Sequence, residues 1–156
     1  MQTNHTLKTG IQNGFSLIEL IVVVAILAVI AGVAIPVYTG MKPSIRLSGA
    51  TSQVMGDLMW ARMRAVSQNN EYKIFFLDDR RYQILDDDNG NGNIDSGEYS
   101  ITKDIQEKYG DVTYTSTANP IFHPRGNAAP AASITLANSH GTRTVTIAIT
   151  GRVIKS

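Results

Sequence analysis

Asp87-Asp88-Asn89-Gly90-Asn91-Gly92-Asn93-Ile94-Asp95-Ser96-Gly97-Glu98 is the densest run of oxygen donors in the chain. Matched to the twelve-residue calcium loop, Asp87, Asn89 and Asn91 take positions 1, 3 and 5. Gly92 takes the sharp-turn position 6, Asn93 offers its carbonyl at 7, and Asp95 and Glu98 take 9 and 12. Calcium takes six to eight hard oxygens, and this spacing can bring that many to one point. The same residues also make a solvated Asn-Gly turn with acids facing water, so both readings stand. With two or three carboxylates contributing, a Ca2+ site here has a dissociation constant on the order of 10⁻⁴–10⁻³ M.

A second acid stands alone. Glu19 heads the run Leu20–Val37, 18 residues without a charge. At ~1.5 Å per residue such a helix covers ~27 Å, close to the ~30 Å hydrocarbon core of a bilayer. An acid at the edge of that segment costs roughly 2.5–3.5 kcal/mol to insert, so it calls for a role. A signal peptide has a shorter apolar core and a basic start, whereas only Lys8 precedes this run. A plain anchor accounts for the length and leaves the Gly14-Phe15 pair beside Glu19 unexplained.

Catalytic chemistry has no such grouping. His5, His123 and His140 are isolated, no phosphate loop, HExxH or nucleophile elbow is present, and the chain is read as a non-enzyme. There are no cysteines, which excludes disulfides and Cys-ligated metal centres. Net charge is +1 but polarised: residues 71–111 hold eleven acids against five bases, and residues 112–156 hold Arg125, Arg143, Arg152 and Lys155 with no acid.

The elements that position these residues follow from periodicity. Leu47, Ala50, Val54, Leu58, Ala61 and Ala65 recur at steps of three or four, with Met55 and Met59 widening the stripe. This predicts one long helix from Phe15 to about Gln68, softened or kinked at Pro36, Gly40 and Pro43. Its segments are an apolar span over 15–37 and an amphipathic half over 38–68. A β-rich globular domain over 69–156 follows. Predicted strands are Tyr72–Leu77, Tyr82–Leu85, Tyr99–Ile105, Val112–Tyr114, Ile121-Phe122, Ser133–Leu136 and Thr144–Ile149, with Arg152–Lys155 as an edge strand. Asp78–Arg81 reads as a hairpin turn, and Asn127–Ala132 as a flexible loop. One helix followed by many short strands is an α+β pattern, the helix packing on antiparallel sheet.

Gly14-Phe15-Ser16-Leu17-Ile18-Glu19 resembles the class III leader junction of type IV pilins and type II secretion pseudopilins. The resemblance implies a leader over 1–14, removed by the prepilin peptidase between Gly14 and Phe15, with methylation of the new Phe15 amine. It makes Glu19 the fifth mature residue, an assembly residue that pairs with a neighbour's amine, and Pro36 the 22nd. It also implies a single-pass inner-membrane protein, N-terminus cytoplasmic and C-terminal domain periplasmic, that joins other pilins or pseudopilins in a filament. The helix-then-sheets pattern is most similar to H-type pseudopilins and to the minor pilins FimT and FimU. The implied function is a minor pseudopilin of a type II secretion pseudopilus. The alternative is a FimT/FimU-like minor pilin that binds DNA during uptake. Gly151-Arg152-Val153-Ile154-Lys155 is similar to the Gly-Arg-x-Arg stretch with which FimT-type pilins contact DNA, but Ile154 stands where the second arginine belongs. Arg143, Arg152 and Lys155 are therefore candidate phosphate contacts, with Arg125 expected nearby; a strand edge protected by charge is the competing reading.

Overall fold

The computed structural model describes residues 14–156, so all of the leader except Gly14, including His5 and Lys8, lies outside the described residues. The chain divides into two units at Gly40–Met41. In the first, α1 (Leu17–Gln68) begins two residues later than predicted. It runs without interruption through Pro36, Gly40 and Pro43, and the Thr39 hydroxyl donates to the Pro36 carbonyl at 3.0 Å. Every residue from Gly14 to Lys42 is exposed.

The second unit begins within α1 and continues as nine strands. These are β1 (Glu71–Phe76), β2 (Arg81–Asp87), β3 (Ser100–Asp104), β4 (Thr113–Ser116), β5 (Ile121–Phe122), β6 (Ala128–Ala129), β7 (Ala132–Asn138), β8 (Gly141–Ile147) and β9 (Val153–Lys155). They form a five-stranded sheet ordered β3-β2-β1-β5-β6 and a four-stranded sheet ordered β4-β7-β8-β9, antiparallel throughout. This is the α+β architecture with two small sheets.

The helix stripe is buried as its spacing demands: Leu47, Ala50, Val54, Leu58, Ala61 and Ala65, joined by Thr51, whose hydroxyl returns to the Leu47 carbonyl at 2.7 Å. It meets alternate residues of both sheets, Tyr72, Ile74, Tyr82 and Ile84 from the first, Ile134, Leu136, Val145 and Ile147 from the second. The alanines let the strands approach the helix. Met59 corrects the predicted stripe: it is exposed, because steps of three and four from Leu58 lead to Ala61 and Ala65 and leave position 59 on another face. The helix ends at a left-handed Asn69 (φ 56°), with the Asn70 amide bonded to the Ala65 carbonyl at 3.1 Å, a Schellman closure.

Three other expectations are revised. The Asn127–Ala132 segment is not a loose loop: β6 pairs with β5, and Ala128 is buried. Ala128 and Ala132 pack inward, while Ala129, Pro130 and Ala131 between them are exposed. Strand β3 stops at Asp104, whose carboxylate accepts the Gln106 amide at 2.8 Å and starts a 3-10 turn over Ile105–Glu107. Strand β8 stops at Ile147, and Ile149 is exposed in the turn before β9. The Asp78–Arg81 hairpin holds as read. Asp78 accepts the Arg80 and Arg81 amides at 2.9 and 2.7 Å and pairs with the Arg81 guanidinium at 2.7 Å, which together lower its pKa to about 2.

Candidate functional site

Phe15, at the predicted cut, is 82% exposed, and Glu19 lies in the first turn of α1. A carboxylate in the first turn complements the exposed amides and positive dipole of a helix start. Behind it, Leu20 to Val37 is one stretch long and apolar enough to cross a membrane, and it is wholly exposed. Among the described residues, valine, leucine and isoleucine stand exposed on all sides of this helix, a surface of the kind that lipid or neighbouring helices cover.

In the second unit, an apolar groove of about 830 Å³ runs along α1 between Met59, Met63 and Val66 and the start of β9 at Arg152 and Val153. Arg62 crosses it and donates to the Gly126 carbonyl at 2.8 Å. Gly151, next to Arg152, meets Gly126 closely: a Cβ there falls 1.8 Å from the Gly126 oxygen, and φ is +76°, so only glycine lets the two turns meet. Sequence reasoning missed this groove. The available signal was Met59, Met63 and Val66, spaced by four and three off the buried stripe.

The Asp87–Glu98 loop leaves the end of β2 and returns to β3. Its Asp87 carboxylate accepts the Gly92 amide at 2.7 Å, the Asn89 oxygen accepts the Asn91 amide at 2.9 Å, and the Asn91 oxygen accepts the Asn93 amide at 2.6 Å. Asp95 receives the side-chain amides of Asn89 and Asn91, which hold its carboxyl below the ordinary range. Glu98 accepts the Asp95 amide at 3.1 Å. Among the described residues, no three Asp, Glu or His side chains gather as a metal cluster.

The sequence model of the type II transport protein GspH matches residues 50–151, more than half of the chain. The chain belongs to the GspH family. The prokaryotic N-terminal methylation motif matches residues 11–35, which takes in Gly14, Phe15 and Glu19. Among solved structures, the GspH-family chain is similar to the type IV minor pilin FimU of Pseudomonas aeruginosa (TM-score 0.52, 20% identity, covering 70% of this chain and 92% of that one). It is also similar to the minor pseudopilin EpsH of the Vibrio cholerae type 2 secretion system (TM-score 0.56, 10% identity, covering 71% and 96%). At these identities the likeness establishes the fold. No match among curated proteins reaches significance.

In this GspH-family chain the candidate DNA residues are not brought into one cavity. Arg152 lines the helix groove, while Arg143 lines a separate one with Leu47, His140 and Ser156. Lys155 stands opposite Val145 on β8, two residues from Arg143. Arg125 lines a third cavity with His123. His123 Nδ1 pairs with Glu71 at 2.8 Å, and His140 donates its backbone amide to Asn138.

Proposed function

We propose that this minor pseudopilin of the GspH family is a structural subunit, not an enzyme, and that its work is to pack with other pilins or pseudopilins in a secretion filament. The observation that carries the reading is the bare apolar part of α1, headed by Glu19 and preceded by Gly14-Phe15, on a chain matched by the GspH and methylation-motif families. The prepilin peptidase cuts between Gly14 and Phe15 and methylates Phe15. The subunit then waits in the inner membrane, N-terminus cytoplasmic and C-terminal domain periplasmic. On assembly the apolar surface is buried among neighbouring spans. There an unpaired Glu19 costs several kcal/mol, so it meets the Phe15 amine of a neighbour, mainly as a register device.

Glu19→Gln tests this. Cleavage after Gly14 and membrane anchoring stay intact, while cross-linking to partner pilins is lost. Wild-type incorporation of Glu19→Gln would refute the pairing. Mass analysis of the N-terminal peptide reports methyl-Phe15; an N-terminus near Ala31 or Ala34 sinks the pilin assignment. The second reading, a FimU-like minor pilin taking up DNA, is favoured by the basic residues Arg143 and Lys155 on the adjacent strands β8 and β9, with Arg152 just before β9. Deleting the gene and assaying secretion, piliation and transformation together separates the two, loss of secretion alone marking the pseudopilin.

A further inference from the structure

Sheet register brings the two ends of the acidic loop back towards each other. β2 and β3 pair with Leu85 opposite Ser100, and the Asp86 amide donates to the Tyr99 carbonyl at 2.9 Å. Asp87 and Glu98 are the next residues on the two sides, past the last paired positions. Asp87 does not lie on the face that meets the helix. Tyr82 and Ile84 point to the core, whereas Asp87 shares the other face with Leu85, and both are completely buried, Gly92 of the loop being buried against Asp87.

Two like charges at the two ends of one loop repel unless something positive lies between them. Asp87 spends one oxygen on the Gly92 amide and Glu98 one on the Asp95 amide. The remaining oxygen of each, Asp87 Oδ1 and Glu98 Oε1, is buried and has no hydrogen-bond partner. A buried carboxylate oxygen without a donor is costly, and here two occur at the first and last positions of one loop. No side chain around them donates to these two oxygens. Lys73 Nζ donates to the Gly92 carbonyl at 2.6 Å, and Glu71, opposite Asp87 on β1, is paired with His123.

We propose that the Asp87–Glu98 loop binds one calcium ion. Asp87 and Glu98 supply the charged oxygens. Asn89 and Asn91 supply amide oxygens, each of which accepts one backbone amide and keeps a second lone pair. Asn93 adds its carbonyl, and Asp95 acts through water. The donors are all hard oxygen, which suits calcium; magnesium demands a smaller, near-ideal octahedron. Gly92, at φ +70°, makes the sharp turn that folds the loop back over Asp87. With two ligating carboxylates and Lys73 close behind, affinity is weak, a dissociation constant of about 10⁻⁴–10⁻³ M. The site is independent of which filament the subunit joins.

The test uses the full chain in detergent, titrated with calcium chloride by calorimetry and melted in calcium, in magnesium and in chelator. One calcium per chain and a rise in Tm of about 3–8 °C at 10 mM calcium, absent with magnesium, are expected. Asp87→Asn removes one of the two charges. In chelator it melts at or above the wild type, yet it loses the calcium shift and at least tenfold in affinity. That crossover is not what a merely structural acid gives. Should Asp87→Asn fail to fold, Glu98→Gln carries the same test. Equal melting of the wild type in all three conditions, an equal shift with magnesium, or wild-type affinity in both variants overturns the site.

Discussion

The first part of α1 is mostly apolar and exposed on all sides from Leu17 to Lys42, while the second part carries one apolar stripe and buries it. Both are apolar and both are helix, yet they solve different problems. Leu47, Val54 and Leu58 find partners in two sheets, with Ala50, Ala61 and Ala65 bringing the backbones close. Among the described residues the apolar side chains of the first part stay exposed, a surface of the kind that lipid or other subunits cover. Hydrophobicity alone does not say what a helix faces. The width of the apolar surface does.

The sharpest way to break this comparison is to truncate one leucine on each side of it. Leu58→Ala opens a cavity in the core and lowers unfolding free energy by about 2–5 kcal/mol, measured by urea denaturation in detergent. Leu27→Ala, on the bare part, leaves that value within about 0.5 kcal/mol. Equal effects would mean that the two parts are not distinct. Next in size, Gly151→Ala sharpens where the packed region ends. The clash with the Gly126 carbonyl and the positive φ together cost about 1–3 kcal/mol, and crystallography of the variant should show the Arg62 contact displaced.

A smaller effect comes from the Asp78 hairpin, which is remote from the helix. Its folded pKa, about 2, lies below the ordinary ~3.9 of an unfolded aspartate. The stabilisation is therefore fully present above pH ~4 and is lost as pH falls from there through 2. Melting followed across that range shows a shallower acid decline for Asp78→Asn than for the wild type. The smallest change belongs to Met63→Ser, at an exposed position beside the groove, which shifts stability by no more than about 0.5 kcal/mol. A larger loss would move Met63 from the surface to the core.

Much of this molecule was legible in the chain. A peptidase junction is a linear signal, read as a string, and Gly14-Phe15-Ser16-Leu17-Ile18-Glu19 carries it whatever the fold. The helix stripe was legible because steps of three and four residues map directly onto one helix face. Most strands were legible for the same reason at period two, whereas β6 was not, because two alanines carry no alternation.

What only the tertiary structure decided involves residues far apart in sequence. Arg125, Arg143 and Arg152 line three different cavities, which their order in the sequence does not state. The close approach of the Gly151 turn to Gly126 likewise joins two distant turns, and neither states it alone. In the acidic loop, spacing by itself determined which oxygens could converge. The pairing of β2 with β3 brought the two ends of the loop back together, and burial left Asp87 and Glu98 with one oxygen each unpaired. Strand register is a property of two segments at once, and neither segment states it alone.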